Sequence, residues 1–172
     1  MRCSAHILNL IVREGLVDMD ETIVKVRKSM RYVRSSPQRQ NTFKLCAEKE
    51  KVDFKNQLCL DIPTRWNYTY IMLEKAEKYQ KTFERLEEDD PNFLMTIRDE
   101  AKEEGNDRHE VAWGMDDVDW EKIRIFSKFL KIFYNSTLQF SSANYVTSNS
   151  FFLELMSIHD TLELSMKKIV IC

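Results

Sequence analysis

Arg65 and Trp66 stand side by side in this chain of 172 residues, and a guanidinium beside an indole can hold a phosphate while the ring stacks on an unpaired base. The same pair also has a purely structural reading. In it Trp66 packs into the core beneath a helix start and Arg65 bonds a carboxylate, with Asp61 the nearest candidate. A second set of cations, Lys25, Lys28, Arg31 and Arg34, recurs every three residues and could make sequence-independent phosphate contacts. Those cations could equally be the solvated side of an amphipathic helix. Cys3 and His6 are one helical turn apart, a spacing that suits two metal ligands, but a structural zinc needs four. Neither His109 nor His159 supplies an obvious second pair, so packing of a buried Cys and a hydrogen-bonded His is the favoured reading. The acidic run Glu87-Glu88-Asp89-Asp90 reads as a solvated helix end, where anions oppose the helix dipole and promote fraying. With no Walker loop and no glycine-rich nucleotide fingerprint, the sequence calls for no cofactor.

The elements that must position these groups follow from punctuation and period. Pro63 forces Ile62 towards an extended conformation, so Leu58 to Ile62 reads as a short extended segment that stops there. Thr64 is then a plausible N-cap for one long helix from Arg65 to about Glu88, with Trp66, Thr69, Tyr70, Leu73, Ala76, Glu77, Tyr79 and Phe83 at steps of mostly three and four. Upstream, Cys3 to Glu14 reads as a helix ended by Gly15. Asp18 caps the next, with Glu21 at N3 and Ile23, Val26, Met30 and Val33 as its apolar stripe. Ser35-Ser36-Pro37 ends that helix, and a more polar one follows from Pro37 to about Lys51. Downstream, a short helix begins at Asp90-Pro91 and runs to about Lys102, followed by an acidic loop over 103–119. From Trp120 to Phe140 apolar residues cover more than one helical face, so this helix is either central to the packing or faces a partner. Thr147 or Ser148 caps a last helix with Phe151, Phe152, Leu155, Ile158, Leu162 and Ile169 inward.

Composition supports a mainly α fold with at most one or two short strands. Hydrophobic residues make up 43% and charged residues 31% of the chain, while three glycines and three prolines supply few of the turns a larger sheet would need. The net charge of −2 conceals an uneven spread, near +5 over residues 1–66, −9 over 67–122 and +2 thereafter. The basic first third could face phosphates, and the acidic middle could not. The four cysteines are widely spaced, which points to reduced thiols rather than a disulfide framework. No apolar run reaches the roughly 18–20 residues of a membrane span, and no secretory signal is evident.

Asp61-Ile-Pro-Thr-Arg-Trp-Asn-x-Thr-Tyr-x-Met-Leu73 resembles the arginine-tryptophan motif of plant hAT-family transposases, a group that includes domesticated proteins with an N-terminal BED zinc finger. Arg2 to Val12, with Cys3 and His6, resembles the family's Cys-x-x-His block, and Tyr32 to Pro37 the segment after it. Residues 120–140 and 145–152 resemble its ribonuclease-H-like region. The resemblance implies a partial ribonuclease-H-like fold: a core remnant over 1–62, a helical region over 63–102, the acidic loop, and a ribonuclease-H-fold helical region over 120–172. It implies nuclear localisation and weak DNA binding as the inherited activity. It also implies no catalysis, because in family order the catalytic aspartates precede the Cys-x-x-His block and the glutamate lies beyond residue 172. Two alternatives stand beside this: an interaction module that docks through the 120–140 helix onto a second copy or a full-length relative, and an element remnant without function.

Overall fold

The computed structural model describes residues 12, 20–54, 58–62, 64–103, 114–142 and 156, and among them the chain forms six α-helices and no strand. They are α1 (Asp20–Arg34), α2 (Pro37–Lys49), α3 (Trp66–Lys78), α4 (Gln80–Asp89), α5 (Asn92–Glu103) and α6 (Asp117–Ser142). The mainly α expectation holds. The only β feature among the described residues is an isolated bridge between Ile62 and Arg65. No described helix is long and apolar enough to cross a membrane. The helices expected over Cys3–Glu14 and after Thr147, the Asp18 cap, Cys3 and His6, and most of the acidic loop lie outside the described residues.

α1 occupies the middle of the assembly, packed against α2, α3, α5 and α6. Its stripe of Ile23, Val26, Met30 and Val33 is buried as its period demands, each side chain worth roughly 1.5–3 kcal/mol. The opposite side is covered too. Thr22, Lys25, Lys28 and Ser29 are buried, and among α1 side chains described only Glu21, Arg31 and Arg34 are exposed. A core helix therefore stands where the charge pattern suggested an amphipathic surface helix.

α2 starts on a Ser36 N-cap, whose side chain accepts from the Arg39 amide at 3.2 Å, with Pro37 in the first turn. It ends at Lys49, two residues short of expectation, in a Schellman arrangement. There the Val52 amide donates to the Ala47 carbonyl at 2.9 Å and the Lys51 amide to the Glu48 carbonyl at 3.1 Å. Lys51 takes the left-handed backbone this requires, with φ of 57°.

The long helix expected from Arg65 to Glu88 is two. It breaks at Tyr79 (φ −104°, ψ 16°), whose amide turns to the Ala76 carbonyl at 3.0 Å. No glycine or proline marks the bend; aromatic packing rewards it. Tyr79 meets Phe43 and Phe54 at ring distances of 5.7 and 5.5 Å, while Phe83 meets Phe43 at 4.8 Å. The N-cap of α3 is Arg65 itself rather than Thr64, and it offers no side-chain cap.

The acidic run at the end of α4 is anchored instead of frayed. Asp89 accepts from Lys49 at 2.7 Å and from Arg85 at 3.3 Å, Asp90 accepts from the Tyr32 hydroxyl at 2.7 Å, and Asp90 also caps α5 through the Asn92 amide at 3.1 Å. These cations and donors offset the unfavourable position of the anions at a helix C-terminus. α6 begins three residues before Trp120, on a reciprocal box in which the Asp119 amide donates to Asp116 at 2.8 Å and the Asp116 amide to Asp119 at 3.4 Å. α6 then packs along α3, burying Trp120, Ile123, Leu130 and Phe133.

Candidate nucleic-acid interface

Trp66 and Arg65 separate at the mouth of α3. Trp66 is buried in the core, its ring unavailable for stacking, while Arg65 is exposed and makes no ion pair among the described residues. Asp61 is not its partner. That carboxylate is taken by Arg27, whose Nε donates at 2.8 Å and whose second nitrogen donates at 2.7 Å, with Thr69 adding a hydroxyl at 3.2 Å. A bidentate guanidinium–carboxylate pair with the acid almost wholly shielded is a strong, geometrically specific contact. It fastens the segment before Arg65 to the side of α1.

The four α1 cations also divide. Lys25 donates to Asp119 at 2.7 Å beside the Thr22 hydroxyl at 2.8 Å, and Lys28 is buried and engaged. Neither presents its charge to solvent, so the expected row of four does not exist as a surface. A row at steps of three drifts about 60° around a helix per step; it enters the core at Lys25 and Lys28 and emerges at Arg31 and Arg34. Those two share a face with Arg27, at steps of four and three. The exposed guanidiniums are therefore Arg31 and Arg34 on α1 and Arg65 at the mouth of α3, four residues after the Asp61 that Arg27 holds. Tyr68, 40% exposed in the first turn of α3, adds an outward aromatic ring three residues after Arg65. Sequence reasoning passed over Tyr68, although the buried set Trp66, Thr69, Tyr70 and Leu73 already left it pointing outward.

The corner after Arg34 is held by side-chain contacts. The Arg39 guanidinium lies 3.9 Å from the centre of the Tyr32 ring and donates to the Ser35 hydroxyl at 2.7 Å. Burial, reinforced by the hydrogen bond and charge of Asp90, pushes the Tyr32 phenol up to about 12. Tyr32 therefore stays neutral and donating throughout the physiological range.

Asp119 has a consequence for acid stability. Burial alone would raise its pKa, but hydrogen bonds from Lys25 and Thr22 and the charge of Lys25 outweigh this and hold it below the ordinary carboxylate value. A depressed folded pKa contributes stability that is present above the unfolded value and lost as pH falls through the folded one. Thermal unfolding followed from pH 7 down is therefore expected to lose stability below about pH 4, the ordinary aspartate value. The Asp119→Asn variant should be weaker at pH 7 and flatter over the acid limb; an equally steep limb would remove Asp119 as its cause.

A family profile described as the ZBED1 RNase-like helical domain matches residues 1–111. Among curated proteins, Zinc finger BED domain-containing protein RICESLEEPER 2 of Oryza sativa subsp. japonica is 32% identical over 96% of this chain and 20% of its own length. A Putative AC transposase of Zea mays is 31% identical over 95% of this chain and 18% of its own. A Putative transcriptional regulator tpeD of Talaromyces stipitatus is 29% identical over 88% of this chain and 16% of its own. The chain thus spans about a fifth of the length of the curated relatives it matches. No solved structure matches it.

Proposed function

Since the chain belongs to the ZBED1 RNase-like helical domain family, and with it to the transposase-related hAT proteins, we propose that it is a non-cleaving helical unit that contacts DNA through its exposed arginines, in the nucleus. The observation that carries this is the division of the cations: Lys25 and Lys28 are buried inside the fold, while Arg34 and Arg65 are exposed and Arg31, which has a contact of its own, is exposed as well. Exposed guanidiniums suit a phosphate backbone, to which they bind without regard to sequence. Tyr68 offers a face for an unpaired base, the part that the residue types alone would give to Trp66.

Fluorescence anisotropy with labelled hairpin and duplex DNA tests the reading. The salt slope falls by about 0.9 for every phosphate that is no longer neutralised. The triple variant Arg31→Gln/Arg34→Gln/Arg65→Gln should therefore bind at least tenfold more weakly at low salt and flatten the slope by about 2–3. Tyr68→Ala should erase any preference for unpaired bases and leave duplex binding alone. A folded wild-type chain that binds neither DNA at low salt sinks the proposal.

The non-cleaving part rests on what the described carboxylates already do. Asp61 holds Arg27, Asp119 holds Lys25, Asp89 holds Lys49 and Arg85, and Asp90 holds Tyr32. These four form no single cluster, and among the described residues no three of His, Cys, Asp and Glu gather as a metal site would need. Strand cleavage by the purified chain in magnesium or manganese would overturn it. A second reading, docking onto another protein chain, is favoured by Val118, Ile125 and Leu138, large apolar side chains that α6 leaves exposed. Sedimentation velocity distinguishes it through concentration-dependent association that the arginine substitutions do not change.

A further inference from the structure

Ser35 and Ser36 link α1 to α2, and Pro37 and Arg39 follow them. The chain's three prolines come directly after Ser36, Ile62 and Asp90, so Ser36 is its one hydroxyl side chain with a proline next to it. Arg34, Ser35, Pro37, Gln38 and Gln40 are exposed, and Ser36 and Arg39 are half-buried, so this corner stands at the surface. The two hydroxyls are engaged differently. Ser35 donates to the Tyr32 carbonyl at 2.7 Å and accepts from the Arg39 guanidinium at 2.7 Å. Ser36 accepts from the Arg39 amide at 3.2 Å, and its own proton is donated to nothing among the described residues.

The backbone around that hydroxyl is easily presented to an enzyme. Ser36 itself is already extended, with φ of −151° and ψ of 153°. Opening the first turn of α2 would break two hydrogen bonds at Ser36, the one from the Arg39 amide and one at 3.1 Å from the Gln40 amide to its carbonyl, and would release the Arg39 side chain from Tyr32 and Ser35. Pro37 has no amide to lose, and terminal turns open at little cost. Two guanidiniums bracket the serine in the chain, Arg34 before it and Arg39 after it, and neither has a carboxylate partner among the described residues.

We infer that Ser36 is a phosphorylation site for a proline-directed serine/threonine kinase, and that the guanidiniums of Arg34 and Arg39 hold the phosphate it receives. Such a kinase reads a proline directly after the acceptor, which brings no amide donor, and a cation three residues on, the place of Arg39. ATP supplies the phosphoryl group. The bond from Ser36 Oγ to the γ-phosphorus forms, the bond from that phosphorus to the departing ADP oxygen breaks, and the hydroxyl proton passes to the kinase's aspartate base. The product carries a charge of about −1.5 to −2 and three acceptor oxygens, which suit paired donation from a guanidinium. Beside Arg34 this anion offsets part of the positive charge offered to a phosphate backbone, so phosphorylation releases DNA. That consequence, and not the modification itself, rests on the DNA-contacting reading above.

The test is incubation of the full chain with a cyclin-dependent kinase and ATP, with the product mapped by mass spectrometry. One phosphoryl group on Ser36 is expected, lost in Ser36→Ala and retained in Ser35→Ala. Arg39→Gln should lower kcat/KM for the modification by about tenfold, with circular dichroism reporting a folded chain. No phosphate on Ser36 overturns the inference, as does a Pro37→Ala chain modified as fast as the wild type. Phosphorus NMR then tests the clasp on chains driven to full modification. The phosphoserine is expected to titrate below its ordinary value of about 6, and Arg34→Gln/Arg39→Gln should restore that value; an unshifted titration in the wild type refutes the clasp. In the anisotropy assay the phosphorylated chain should bind duplex DNA about tenfold more weakly at low salt, and equal binding of the two forms refutes the release. Modification of Ser36 in a chain that binds no DNA refutes the DNA-contacting reading alone. DNA binding by a chain that the kinase leaves unmodified refutes the phosphorylation site alone.

Discussion

Replacing Asp119 with alanine is expected to destabilise the fold by about 3–5 kcal/mol, because it leaves the Lys25 ammonium buried without its counter-charge. Both side chains are only 7% exposed, so bulk solvent screens the pair little. The same carboxylate also receives the Thr22 hydroxyl and the Asp116 amide, so the change undoes a contact between α1 and α6 and half of the α6 capping box together. Against a total stability of roughly 5–15 kcal/mol this is a large fraction. Urea denaturation gives the number, and a loss under about 1 kcal/mol would show that the pair is not a principal tie. Should the single variant fail to fold, Lys25→Met with Asp119→Leu separates the causes. A buried ion pair exchanged for apolar side chains of similar size is often neutral, so the double variant should recover most of the stability.

Phe43→Ala is expected to cost about 3–5 kcal/mol, the usual range for emptying a fully buried aromatic site. Phe43 is the hub on which α2, the Tyr79 bend and α4 converge, with ring distances of 4.8 Å to Phe83, 5.7 Å to Tyr79 and 5.8 Å to Phe54. Each such pair adds about 0.5–1.5 kcal/mol beyond burial. Leu45 sits two residues away on the same helix but is half exposed, and Leu45→Ala should change stability by no more than about 0.5 kcal/mol. Equal losses at the two positions would mean that the aromatic cluster does not organise this side of the fold.

Much of the helical frame was legible because apolar spacing and punctuation agree locally. Ser36 and Pro37 announce the start of α2, Asp90 that of α5, and the stripe from Ile23 to Val33 the inner side of α1. The bend at Tyr79 was not legible, since nothing in its own residues forbids a helix; the reward comes from rings 25 to 36 residues upstream. The start of α6 was hidden by charge. Asp116 and Asp119 sit in an acidic stretch that reads as a loop, but carboxylates three apart also build a capping box when a helix follows. The candidate site was legible only in part, for a related reason. Periodicity tells which residues share a face of α1, not whether a second layer covers that face, and Asp61 and Asp119 supplied carboxylates from far along the chain to Arg27 and Lys25. Arg65 and Trp66 were found as a pair, and the pair divided between surface and core because a helix start turns adjacent residues in different directions.

The central place of α1 also bears on how the chain is made. Synthesis runs from the N-terminus, so α1 leaves the ribosome before every helix described as packing on it. Thr22 and its partner Asp119 are 97 residues apart. At translation rates of about 5–20 residues per second, the inner helix waits some 5–20 s for the last of its neighbours. Throughout that interval Ile23, Val26, Met30 and Val33 have no complete cover, and Lys25 has no counter-ion. A nascent chain of this design spends its most vulnerable seconds with its core outermost, and holding chaperones would find their target at α1.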